Sequence, residues 1–148
     1  MYIMDIKYFT KEMIREAYKA YKLDEIPVGC LIVKNNTIIS RSYNTKYSTN
    51  IPINHAEILS IINSCKILNS LYLDNCSMFI SLEPCTMCTG AIIESRIKNI
   101  FIGSSNPFNG FFSKNYYNHL PNLNITWLND TTSEFLINKF FIKKRTKL

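Results

Sequence analysis

The stretch "SMFISLEPCTMCTG", residues 77–90, constrains the chain most. Six residues, Ser77 to Leu82, form a short apolar run bounded by polar positions, which is the pattern of a strand buried on both faces. Pro84 follows at once, and proline in a first helical turn costs nothing because its missing N–H has no partner there. A buried strand handing directly to a helix that runs to about Ser95 needs helices on both sides of its sheet. The neighbouring segments agree. Residues 5–22 read as a helix with Asp5 as N-cap and Phe9, Met13, Ala17 and Ala20 on one face. "VGCLIV" and "TIISRSYN" read as a hairpin turning at Lys34, Asn35 and Asn36. Asn54 is a candidate cap for a helix to about Cys65, "NIFIG" and "ITWL" read as strands, and "TTSE" at Thr131–Glu134 is a capping box for a last helix. The order α-β-β-α-β-α-β-β-α predicts a three-layer α/β/α domain around a mixed sheet of about five strands.

A chain of 148 residues fits one domain, residues 1–148, and no repeat or linker divides it. No apolar run approaches the ~20 residues of a membrane span, and the N-terminus lacks the pattern of an export signal, so a cytoplasmic protein is expected. Five cysteines in a chain of this length read as reduced thiols or metal ligands rather than as a disulfide framework. The net charge of +6 leans toward a polyanionic partner, and the tail "KFFIKKRTKL" concentrates it in Lys139, Lys143, Lys144, Arg145 and Lys147.

Two motif pieces fall at expected helix starts: "HAE", His55 to Glu57, and "PCTMC" with Cys85 and Cys88. Helix N-termini favour anions and lower thiol pKa values. His55, Cys85 and Cys88 supply three nitrogen and sulfur donors, the number a catalytic zinc keeps while leaving its fourth position open. Each piece has a plainer reading. Asn54 to Glu57 is an Asn-x-x-Glu capping arrangement, and "PCTMC" after a strand is the spacing of a redox pair. Their conjunction points to one site.

H-x-E with P-C-x-x-C resembles the zinc nucleobase and nucleoside deaminases. "IPVGCLIV", "YN", "HAEI", "LEPCTMCTGAIIESRI" and "FFIKKR" together are similar to the bacterial tRNA-specific adenosine deaminases over roughly residues 7–145. The resemblance implies a cytidine deaminase-like fold, a homodimer and one Zn2+ per chain on His55, Cys85 and Cys88. It implies hydrolytic deamination of adenosine to inosine at the wobble position of an arginine tRNA, by a zinc-activated hydroxide with Glu57 as proton shuttle. Asn44 matches a position that contacts the base edge, and Ile26, Ala56, Asn106, Phe108, Phe141, Lys143, Lys144 and Arg145 fall where substrate contacts are expected. Asn44 reads equally as turn chemistry.

The segment 104–118 interleaves Phe108, Phe111, Phe112, Tyr116 and Tyr117 with Asn residues and Lys114, as base-stacking platforms or as packing. Asn106 departs from an acidic residue common at that position, which removes a charge that repels phosphate. The nearest alternative is a deaminase of free guanine, cytosine or a nucleotide. A zinc module that only binds RNA leaves Glu57 without a role, and a thiol redox protein leaves His55 and Glu57 without one.

Overall fold

The computed structural model describes residues 3–114, 120 and 122–147. His119, Tyr116 and Tyr117 lie outside them. Five strands, β1 (Gly29–Lys34), β2 (Thr37–Tyr43), β3 (Cys76–Leu82), β4 (Asn99–Ser104) and β5 (Asn124–Trp127), form one sheet in the order β2-β1-β3-β4-β5. β1 is antiparallel to both of its neighbours, while β3, β4 and β5 run parallel, so the sheet is mixed as expected. The hairpin turns at Asn35 and Asn36, both with positive φ, which is the primed turn that matches strand twist.

Side-chain alternation sorts the two faces. Leu31, Val33 and Phe79 pack on Phe9 and Met13 of α1 (Ile6–Lys22). Cys30, Ile32, Met78 and Ile80 pack on the opposite side with Ala56 of α3 (Ala56–Leu68) and Ile92 of α4 (Thr86–Glu94). The final helix, α5 (Thr131–Thr146), lies beside α1 and buries Leu136, Ile137 and Phe140. α1 rides very close on β1: a Cβ on Gly29 would come within 2.3 Å of the Met13 carbonyl oxygen.

Several expected boundaries move. The N-cap of α3 is His55, not Asn54, and Pro84 stands outside α4, whose N-cap is Cys85. The last helix is capped by Asp130, whose carboxylate accepts from Ser133 N at 2.6 Å, one residue before the expected capping box. A short helix α2 (Lys46–Thr49) was not expected. Glu25, fully buried, organises it by accepting from Tyr47 N at 3.1 Å and Ser48 N at 2.6 Å.

Candidate active site

α3 and α4 pack side by side and start at the same end of the sheet, just beyond the C-terminal end of β3. Their N-caps, His55 and Cys85, therefore face one another, and Cys88 joins them from the first turn of α4. His55 Nδ1 lies 3.4 Å from Cys88 Sγ and 3.8 Å from Cys85 Sγ, and the three donor atoms all fall within 4.8 Å of one another. Tetrahedral zinc with ordinary Zn–S and Zn–N bonds places its ligand atoms about 3.5–3.8 Å apart. Both nitrogen–sulfur distances match that geometry, and the donor set is the one such a metal takes.

Electrostatics in the cluster reflect three groups that share too few protons. Cys85 is held down to about 4, first by a hydrogen bond from Cys88 and then by His55. Cys88 moves upward because its proton bonds the Cys85 sulfur and because it is buried. His55 is raised by its bond to Cys85. Glu57, only 4% exposed, is pushed up to about 7, chiefly by burial and further by the nearby Cys85 sulfur. It points into the same hollow as His55 and Cys85.

That hollow, about 140 Å³, is walled by Ile26, Asn44, Ala56, Glu57, Glu83 and Asn106 among others. The Asn44 amide donates to the Ile26 carbonyl at 3.4 Å, and its oxygen accepts from Lys46 N at 3.3 Å. Turn chemistry and pocket lining thus coexist in this one side chain. Asn106 likewise turns its own loop, its Oδ1 accepting from Phe108 N at 3.2 Å and Asn109 N at 3.1 Å.

A second hollow of about 830 Å³ shares Ile26, Leu82, Asn106 and Asn109 with the first and is lined beyond them by Phe108, Phe141, Lys144 and Arg145. Phe108, 68% exposed, tilts against Phe141 with ring centres 5.9 Å apart. Phe112 is buried in the core, so the loop aromatics divide between packing and display. Lys143 does not line the hollow; it lies over the Tyr21 ring and 3.6 Å from Asp24. Lys144 bonds Asp24 at 2.6 Å.

Glu83 was not singled out in the sequence. It is 1% exposed and receives Asn106 N at 3.2 Å, Ser113 N at 3.0 Å and the Ser113 hydroxyl. Gly110 packs where any Cβ would strike the Glu83 carboxylate. The loop after β4 is therefore folded around one buried charge, and nothing local in "LEPC" announces partners more than twenty residues away.

Residues 4–104 match the family model described as the cytidine and deoxycytidylate deaminase zinc-binding region. The chain is 34% identical over 147 residues to a tRNA-specific adenosine deaminase of Rickettsia typhi, covering 93% of this chain and 99% of that one. It is 41% identical over 101 residues to the protein of the same name from Aquifex aeolicus, covering 68% and 67% of the two chains. Among solved structures, one from a study of A-to-I editing by tRNA:A34 deaminases superposes with a TM-score of 0.77 at 31% identity, covering 88% of this chain and 99% of that one. A guanine deaminase from Bacillus subtilis gives 0.68 at 30% identity, covering 96% and 95%. With the donor set, the hollow and these relatives in agreement, the chain belongs to the zinc-binding cytidine and deoxycytidylate deaminase family, in its tRNA-specific adenosine deaminase group.

Proposed function

We propose that the protein hydrolyses the wobble adenosine of a tRNA anticodon loop to inosine, releasing ammonia. The observation that carries this reading is the pair of joined hollows. A free base needs only the small one, whereas a nucleotide presented from a loop needs somewhere to put its flanking residues. The larger hollow offers Phe108 and Phe141 as stacking surfaces and Lys144 and Arg145 as phosphate partners.

His55, Cys85 and Cys88 would hold zinc, which when bound supplies a Lewis acid and a water acidic enough to attack at neutral pH. Glu57 moves the protons: it accepts one as water adds to C6 and delivers it to ring N1, then takes the second from the new C6 hydroxyl and passes it to the departing amine as the C–N bond breaks and the carbonyl of inosine forms. A carboxyl held near neutrality by burial suits both directions of transfer. Asn44, Ile26, Ala56 and Asn106 line the smaller hollow and would contact the base, Asn106 without adding negative charge. The reading extends to a cytoplasmic enzyme acting on an arginine tRNA as a homodimer. Ile51, Ile53, Ile62 and Met87 stand exposed on and near α3 and α4, which supports self-association there. Among the described residues no helix is long and apolar enough to cross a membrane.

The test is to incubate the zinc-loaded protein with a set of tRNAs and read adenosine-to-inosine conversion by sequencing, beside free guanine and cytosine. Conversion confined to position 34 is expected, together with one zinc per chain that Cys85→Ala and Cys88→Ala lose. Turnover of a free base with untouched tRNA would favour the nucleobase deaminase reading.

A further inference from the structure

The outward face of α1 plays no part in the site. Lys7, Lys11, Arg15 and Lys19 recur at i, i+4 along it, with Lys22 completing the row, and all five are exposed. No exposed acid interrupts them. The two acids within the helix, Glu12 and Glu16, are 5% and 2% exposed; they face Arg41 of β2 and also bond Arg15 at 2.6 Å and Lys19 at 2.7 Å, which leaves Lys7, Lys11 and Lys22 as the cations of the row without an acid of α1 beside them in an ion pair. Arg15 and Lys19 are thus accounted for by i, i+3 pairs that support the helix, whereas Lys7, Lys11 and Lys22 present their charge outward.

The stripe does not end with α1. Tyr18, 49% exposed, stacks on Tyr21 at 6.3 Å, and Lys139 and Lys143 of α5 lie over the Tyr21 ring at 5.4 and 5.5 Å. From there Lys144 and Arg145 lead into the larger hollow. Taken with their caps Asp5, Asp130 and Lys147 and their partners Arg41 and Asp24, the two helices hold eleven Lys and Arg against six Asp and Glu. That is a net +5 of the chain's +6. From Lys7 to Lys22 the row spans about 22 Å at the helical rise per residue.

We propose that this face of α1, continued by α5, docks the duplex stem that carries the substrate loop, gripping its phosphates. The inference rests on the reading of the site as one that acts on a tRNA loop. A duplex displays regularly spaced phosphates with bases stacked out of reach, and a straight row of cations with few hydrogen-bonding amides matches that chemistry. Placing the stem here lets the loop reach the hollow at the shared end of α1 and α5.

The experiment uses the full zinc-loaded chain and two RNAs, a stem–loop bearing the anticodon loop and the same loop sequence as an unpaired strand. The variant Lys7→Glu/Lys11→Glu/Lys22→Glu is compared with Lys34→Glu/Lys66→Glu/Lys98→Glu, which changes net charge equally elsewhere. The α1 variant should bind the stem–loop about tenfold more weakly, with a salt slope shallower by roughly 0.9 for each phosphate that is no longer neutralised. Binding and deamination of the unpaired strand should not change. A matching Lys→Gln triple variant, which preserves helix propensity, should show a smaller loss in the same direction. Equal losses on both RNAs, equal losses in the control, no loss, or a changed sedimentation coefficient would each overturn the proposal. Failure of the tRNA reading looks different: the unmodified protein would then leave the stem–loop adenosine intact.

Discussion

Glu57 shows how a single side chain separates two readings that a sequence leaves open. The expected capping arrangement needs Asn54 as N-cap with Glu57 three residues on, but the N-cap of α3 is His55, which makes no side-chain capping bond and leaves Glu57 at the second helical position. Glu57 instead turns inward, buried beside Cys85 and Cys88. Glu57→Gln should keep one zinc and an unchanged melting temperature while kcat falls about 10²- to 10⁴-fold. A variant that melts lower but turns over normally would restore the capping role. His55, Cys85 and Cys88 were legible because metal ligation imposes short, recognisable spacings. Glu83 and Glu25 were not, because their importance comes from backbone amides that folding delivers from distant loops.

Among the elements, strands and long helices followed from periodicity, while their ends did not. The start of α5 is fixed by the Asp130 carboxylate reaching Ser133 N, one residue before the expected cap, whereas α3 and α4 begin after His55 and Cys85, whose side chains make no capping bond and which no capping pattern could therefore disclose. α2 is four residues long and owes its amide partners to Glu25, so no local pattern could disclose it. The loop after β4 depends on Glu83 in the same way. Glu83→Gln puts an NH2 group against donors that now meet a carboxylate, and bonds to a charged group contribute about 1.5–3 kcal/mol. The expected result is a roughly tenfold rise in KM for tRNA, faster proteolytic cleavage within 104–114, and retained zinc with little change in kcat. An unaltered KM would show that the loop holds its shape without the buried charge. The basic tail needs a related correction: Lys143 and Lys144 are partly engaged by Asp24, so deleting the tail also removes a tie between α1 and α5.

At the scale of the molecule, the mixed sheet between helical layers was predictable from element order, but the sequence of strands across it required the tertiary pairing itself. α1 is fastened to the edge strand β2 by Arg41, which bonds Glu12 at 2.8 Å and lies 3.7 Å from Glu16. The Arg41 hydrogen bond holds Glu12 below its ordinary value of 4.5. In the unfolded chain Glu12 takes up its proton at higher pH than in the fold. The clamp therefore contributes fully above about 4.5 and is lost as pH falls through the lowered folded value. Urea midpoints should show Glu12→Gln less stable than the parent near neutrality, with the gap closing as pH drops below about 4.5. A gap that stays constant with pH would mean that Glu12 stabilises by packing alone.

His55 and Cys85 are thirty residues apart in the chain and meet only when α3, β3 and α4 are in place. An ion holding both is thus also a cross-link that closes a long loop. By the chain-entropy relation for such closures it removes disorder from the unfolded state equivalent to about 3–4 kcal/mol. An ion bound there would on this account also slow the escape of the very segments that hold it, so that removal of the ion by a chelator and loss of the fold become parts of one process.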